Sequence, residues 1–193
     1  MGRRKEFDDQ TVIRAARDVF WERGYASTSL ADLQEATGLS RSSLYETFGS
    51  KRGLFDRVVR NYVDEVVGPL LAPMEADGAA RAEIVGYFRA LARFLRDSPT
   101  SVASRGCLML NTAMELNILD GDATRVVRAY RERARGAIHH ALGGMGTAIA
   151  DRDRTADVLT VTQMGLMTTS RIDPGHAADL ADTIAADVDG WGR

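Results

Sequence analysis

The sequence predicts an all-α protein, an N-terminal helix-turn-helix domain followed by a larger helical domain. Three observations carry that expectation. Residues 28–51, TSLADLQEATGLSRSSLYETFGSK, read as two short helices joined by a glycine turn. Residues 50–67 place Leu54, Phe55, Val58, Val59, Tyr62, Val63, Val66 and Val67 at i, i+1, i+4, i+5 spacing, a helix too apolar to stand in solvent. Beyond Pro69, helical patterns recur between Gly, Pro and Asp breaks, with few β-branched alternations. The expected domains are 1–50 and 51–193, linked by the helix at 50–67.

Gly2, Arg3, Arg4 and Lys5 form a short basic arm, suited to phosphate or minor-groove contact or else simply solvated. The first helix starts near Asp8 or Asp9, whose carboxylates suit the positive end of the helix dipole. Val12, Ile13, Ala16, Val19 and Phe20 are its apolar stripe, and Gly24 stops it. Ser29 and Asp32 have capping-box spacing, and Leu30, Leu33 and Thr37 share one face of the second helix. Gly38 fits a left-handed C′ position, Leu39 plugs the turn, and Ser40 caps a third helix anchored by Leu44 and Phe48. Its outward residues, Arg41, Ser42, Ser43, Tyr45, Glu46 and Thr47, offer hydroxyls, a guanidinium and a phenol. A second helix of this kind is what enters the DNA major groove.

Ser50 caps the connecting helix, where Lys51 opposes the dipole unless an anion such as a phosphate lies nearby. Gly68-Pro69 is the expected end of that helix. Further helices are expected at 79–97, 101–119, 122–142, 152–169 and 174–188, with Asp173 capping the last and Pro174 in its first position. The helix from 152 carries Val158, Leu159, Val161, Gly165, Leu166 and Met167 on more than one side, which predicts a partner subunit packed on the last two helices.

The run from Thr28 to Phe55 resembles the DNA-binding signature of the TetR/AcrR family of bacterial transcriptional regulators. Thr28, Ser29, Leu30, Ala36, Gly38, Leu39, Ser40, Leu44, Tyr45, Phe48, Lys51, Leu54 and Phe55 carry the match. Upstream, AARDVFWERGYASTS is similar to the family's first helix, and Arg105 to Leu116 (RGCLMLNTAMEL) is similar to a ligand-domain segment of one subgroup. The resemblance implies a homodimeric helical repressor that binds double-stranded operator DNA and whose larger C-terminal domain takes a small molecule. Taken with the basic arm and the outward face of the third helix, the expected DNA-contact set is Arg4, Lys5, Thr28, Ser29, Ser40, Arg41, Ser42, Ser43, Tyr45, Thr47 and Lys51. Arg41, Ser42 and Ser43 lie nearest base edges, and Tyr45 and Thr47 nearest phosphates.

Length and composition agree. The chain of 193 residues, 45% hydrophobic and 27% charged, has ample material for a core. No apolar run nears the ~20 residues of a membrane span, and MGRRKEFDDQ lacks the apolar core of a secretory signal. The single cysteine fits a reducing cytoplasm. The net charge of −2 divides into +2 for residues 1–62 and −4 for the remainder, the sign expected of a DNA-reading head on an acidic body.

Cys107 is the one thiol. Its neighbours Leu108, Met109 and Leu110 favour a structural role, and a redox or electrophile sensor is the alternative. His139 and His140 are adjacent on a helix and cannot chelate one metal together, and no metal or other cofactor is expected. Arg125, Arg128, Arg131 and Arg135 read as a solvated face, balanced by Glu132. No catalytic constellation is present, so an enzyme is not expected. Tyr62, Tyr87, Phe88, Phe94, Met109, Met114, Met164 and Met167 are the expected lining of a pocket for a largely apolar effector. The resulting reading is a ligand-responsive regulator, most simply a repressor. The rival of the same fold is a ligand-independent DNA-organising factor or activator.

Overall fold

The computed structural model describes residues 8–119, 121–146 and 150–191; the arm with Arg4 and Lys5, and Asp120, fall outside the described residues. Regular structure among the described residues is helical only. The head comprises α1 (Asp9–Ser27), α2 (Leu30–Thr37) and α3 (Arg41–Phe48), closed by α4 (Lys51–Tyr62). Asp8 caps α1 through the N–H groups of Gln10 and Thr11, and α1 breaks at Gly24, where φ is 80°. Ile13, Ala16 and Phe20 on one face of α1 meet Leu33, Leu44, Leu54 and Phe55. Phe20 lies edge-on to Phe55, with ring centroids 5.1 Å apart.

The body holds α5 (Gly68–Glu75), α6 (Arg81–Asp97), α7 (Thr100–Ala103), α8 (Leu108–Ala113), α9 (Gly121–Gly143), α10 (Arg152–Thr169) and α11 (Pro174–Gly190). Asp173 caps α11 with Pro174 in its first turn, as the sequence predicts. Helices α6 and α11 pack along each other, and Ala177, Ala178, Ala181 and Ala185 on the buried face of α11 let the backbones come close. The pair is antiparallel: Arg96 at the end of α6 bonds Asp179 and Asp182 near the start of α11, and Arg81 at the start of α6 bonds the carbonyl of Trp191. Helix α9 packs between α5 and α10. One apolar cluster runs from Ile13 to Val188, so head and body share a core. On α10, Leu159, Leu166 and Met167 are buried, while Val158 and Val161 are 55% and 61% exposed.

Two sequence expectations are overturned. The connecting helix does not end at Gly68-Pro69. It passes through a π turn, Val63–Val67, into α5 without leaving helical backbone angles. The N–H of Gly68 reaches back to the carbonyl of Val63, an i−5 bond that shifts the register ahead of the proline. Pro69 then sits in the first turn of α5, where its missing donor matters little.

The predicted helix at 101–119 is also broken, into α7, α8 and following turns. Gly106 between them has φ of +69°, and a Cβ there would lie 2.9 Å from the carbonyl oxygen of Met167. The kink frees the Gly106 carbonyl to accept the Trp21 indole N–H at 3.0 Å. Short-range periodicity does not register a break set by two distant helices.

Where α1 crosses the π turn, Arg14 makes three hydrogen bonds to Glu65, its Nε–H shared between both carboxylate oxygens, and Arg17 makes one more. The hydrogen bond from Arg14 is the main cause that holds the Glu65 carboxyl at about 2, below its usual 4.5. A depressed carboxyl stabilises the fold fully above its unfolded value and loses that contribution as pH falls through the folded one. Glu65→Gln should therefore lower the melting temperature near neutral pH, and the gap to the parent should close as pH drops from about 4.5 to about 2. Melting curves across that range test it; a gap independent of pH would contradict the assignment.

Candidate nucleic-acid interface and body cavity

The reading unit is built from caps. Ser29 Oγ accepts from the Asp32 N–H at 3.1 Å, and Asp32 Oδ2 accepts from the Ser29 N–H at 2.8 Å, the capping box the spacing predicts. Arg23 from α1 pairs with Asp32 and fixes α2 against the first helix. Gly38, with φ of 70°, closes α2 by donating its N–H to the carbonyl of Gln34. Thr37 Oγ1 accepts from the Leu39 N–H at 3.3 Å, and Ser40 Oγ accepts from the Ser43 N–H at 3.2 Å. Leu44 is the buried side chain that pins α3 to the head core.

Opposite Leu44, α3 presents Arg41, Ser42, Tyr45 and Glu46 in exposed positions, with Ser43 and Thr47 half-buried beside them. The Arg41 guanidinium lies 5.7 Å from the centre of the Tyr45 ring, which steadies a long side chain. Ser40 Oγ is 2.8 Å from Ser42 Oγ and 3.0 Å from Ser43 Oγ, three hydroxyls clustered at the helix start. This face can give a bidentate guanidinium contact to guanine and hydroxyl contacts to phosphate or bases.

Two of the expected DNA-contact residues also have partners within the protein. Thr28 is 2% exposed and its hydroxyl donates to the Gly24 carbonyl at 2.6 Å, so it braces the turn from inside. The Lys51 ammonium donates to the Tyr25 carbonyl at 2.6 Å and lies 4.4 Å from the Tyr25 ring centre. That protein partner explains a lysine at a helix start without a phosphate. Burial is the main cause that lowers its pKa, and Glu115 and Asp32 oppose it.

In the body, a cavity of about 40 Å³ is lined by Tyr62, Val66, Val67, Leu70, Leu71, Tyr87, Leu91, Cys107, Tyr130, Gln163 and Met167. Tyr62 donates to Cys107 Sγ, and Cys107 donates to the Tyr130 hydroxyl, each at 3.6 Å. Burial first, then the adjoining Cys107, pushes both phenols well above their ordinary range. They stay neutral and serve as hydrogen-bonding groups in an otherwise apolar lining.

Of the predicted lining residues, Tyr62, Tyr87 and Met167 are here. Phe88 and Met109 are fully buried in the surrounding core, and Phe94 packs on a second cluster with Leu95 and Ala103. Met164 is half-buried off the cavity. Met114 is 84% exposed, because α8 ends at Ala113 and turns its successor outward. Sequence reasoning missed Tyr130 and Gln163. The signal for Tyr130 was the buried stripe Ala123, Tyr130, Ala134, Ala137, Ile138 and Ala141, hidden among the arginines of α9. A second, larger cleft of about 190 Å³ lies between α4 and α9, lined in part by Phe55, Val59 and Val126.

Among the described residues, no three His, Cys, Asp or Glu side chains stand close enough to hold a metal ion. Within them, no helix is long and apolar enough to cross a membrane.

Residues 12–58 match the family model described as bacterial regulatory proteins, tetR family. The chain is 35% identical over 142 residues to the HTH-type transcriptional regulator YezE of Bacillus subtilis (strain 168), covering 74% of this chain and 72% of that one. It is 33% identical over 129 residues to the HTH-type transcriptional repressor ComR of Escherichia coli (strain K12), covering 66% and 60%. Among solved structures, a cysteine mutant of the TetR-family regulator CifR, complexed with 26-bp operator DNA, superposes with a TM-score of 0.71 at 25% identity, covering 98% of this chain and all of that one. SCO4454 of Streptomyces coelicolor gives 0.79 at 20% identity, covering 93% and 92%, a likeness of fold.

The capping box supports α2 locally, so Ser29→Ala should cost about 1 kcal/mol of folding stability while leaving the helical content of the remainder unchanged. Chemical denaturation monitored by circular dichroism checks this; no loss would mean that Arg23 and the head core hold α2 without the cap.

Proposed function

The chain belongs to the TetR family of bacterial regulatory proteins, and from that premise we propose that it is a transcriptional repressor that binds a near-palindromic operator as a homodimer and leaves it when an effector occupies the body. The observation that carries the DNA-binding part is the α3 face, where Ser40, Arg41, Ser42 and Tyr45 stand exposed on a helix fixed by caps at both ends. Dimerisation is supported by Val158 and Val161, which extend an apolar stripe on α10 into solvent, with Leu180 and Ile184 half-buried on the adjoining α11. The functional division at 50/51 is then one of role, since the packing is continuous.

The cavity supports an effector that works by prising. Its volume of about 40 Å³ holds little more than water, whereas ligand pockets occupy about 300–1,000 Å³. A ligand bound there must therefore push its walls apart. Tyr62, Val66 and Val67 form one wall, and they belong to α4 and the π turn that follows it. A π turn interrupts the regular hydrogen-bond ladder and is one of the places where helices kink. Since α4 also closes the head, the state that admits ligand carries the reading helices at a different spacing, and ligand shifts the population toward it.

A second reading has its own observation. The Cys107 thiol faces this cavity between two phenols, an arrangement open to an electrophile or oxidant that reaches the cavity. Loss of operator release on mild electrophile treatment in Cys107→Ser, with release intact in the parent, would favour that sensor. An unchanged response in the variant leaves Cys107 a packing residue.

The main proposal is tested by competition binding with operator and random duplexes. Arg41→Ala should weaken operator binding by roughly 1–3 kcal/mol and relax preference at one base pair of each half-site. Equal affinity of the parent for operator and random DNA at physiological salt would overturn the proposal.

A further inference from the structure

Near the end of α1 the backbone turns out of the helix at Gly24 (φ 80°, ψ 172°), five residues before the Ser29 cap that opens the reading unit. The turn is held from the body. Glu115, just past α8, accepts from the Tyr25 N–H at 2.7 Å with Oε2 and from the Ala26 N–H at 3.0 Å with Oε1. Four residues behind Tyr25, the Trp21 carbonyl accepts from Asn111 Nδ2 at 3.2 Å. The two groups that would pair in an unbroken helix thus each have a partner from the body. The approach is close: a Cβ on Gly24 would lie 2.9 Å from Glu115 Oε1.

The Tyr25 peptide is gripped on its other side as well. Its carbonyl accepts from Lys51, the first residue of α4. Its ring packs 4.9 Å from that of Phe55. From this peptide the chain runs through Thr28 and the Ser29 cap directly into α2 and α3. Phe20, Leu33, Leu44 and Phe55 pack the head together within the apolar cluster that continues into the body, and the Glu115 carboxylate is no part of that packing. What Glu115 adds is the direction in which that core faces relative to the body.

We propose that Glu115 is a positioning residue for operator reading, a body-borne carboxylate that sets the pose of the α2–α3 unit by holding the Tyr25 and Ala26 N–H groups. The proposal rests on the repressor reading above. A pose matters to DNA that must match two reading helices at once, and little to sequence-blind phosphate attraction. The same carboxylate lies on the segment that begins at Cys107 in the cavity wall, so cavity expansion displaces it.

The test uses the full chain, its Glu115→Gln variant, which keeps shape and one acceptor, and Glu115→Ala. Affinities for a selected operator and for a random duplex of equal length are measured together with melting temperature and amide hydrogen exchange at Tyr25 and Ala26. Expected are faster exchange at those two amides, random-duplex affinity like the parent's, and an operator-to-random preference reduced about tenfold, within the usual range for coupling between sites. A preference unchanged in Glu115→Ala, or operator and random affinities falling together in step with the melting temperature, would overturn the proposal. A parent that shows no preference would remove the repressor reading itself and this inference with it, and the parent arm alone reveals that case.

Discussion

The Trp21 indole donates to the carbonyl of Gly106 across 85 residues of chain, and the arrangement of head and body depends on this contact and its neighbours. Trp21 also lies edge-on to Tyr62, at 5.0 Å between ring centroids. Arg105, beside Gly106, faces Asp18 and Glu22 on the same helix. A buried indole N–H without an acceptor is costly, and the kinked backbone at Gly106 is what supplies one. One short segment of the body, 105–115, therefore both completes α1 and borders the cavity. The buried residues of the head and those of the body belong to one apolar cluster.

That sharing gives the proposed effector response a physical route. The cavity is bounded by α4 and the π turn on one side and by Cys107 on another, and both walls continue into contacts with the head. A ligand does work on the protein only through its differential affinity for two states. A cavity of about 40 Å³ would make that difference large for the proposed effector, because so small a space offers a ligand little contact. The polar line Tyr62, Cys107 and Tyr130 within an apolar lining would orient the proposed effector.

The parts of the fold that were legible in the sequence are those decided locally. Ser29 with Asp32, Gly38, Ser40, Ser50 and Asp173 with Pro174 each sit within four residues of the groups they satisfy, and all five caps form as read. The errors arise where a distant element decides. Pro69 reads as a helix end, yet a π turn ahead of it absorbs the proline. Residues 101–119 read as one helix, yet Met167 and Trp21 impose a kink at Gly106. The cavity suffered most. Flexible methionines were a compositional hint only, and Met109, Met114 and Met164 went to the core, to solvent and to a helix flank, while Tyr130 and Gln163 came from helices read mainly for other faces. Lys51 likewise holds a carbonyl 26 residues away, a partner its local sequence does not announce.

Selection of bound fragments from a pool of random-sequence duplex DNA tests the central claim most directly. The account predicts a two-fold symmetric consensus whose half-sites are centred about one helical turn, ~34–36 Å, or a multiple of it apart. Recovery of sequences with no consensus, or of a single unrepeated half-site, would contradict it.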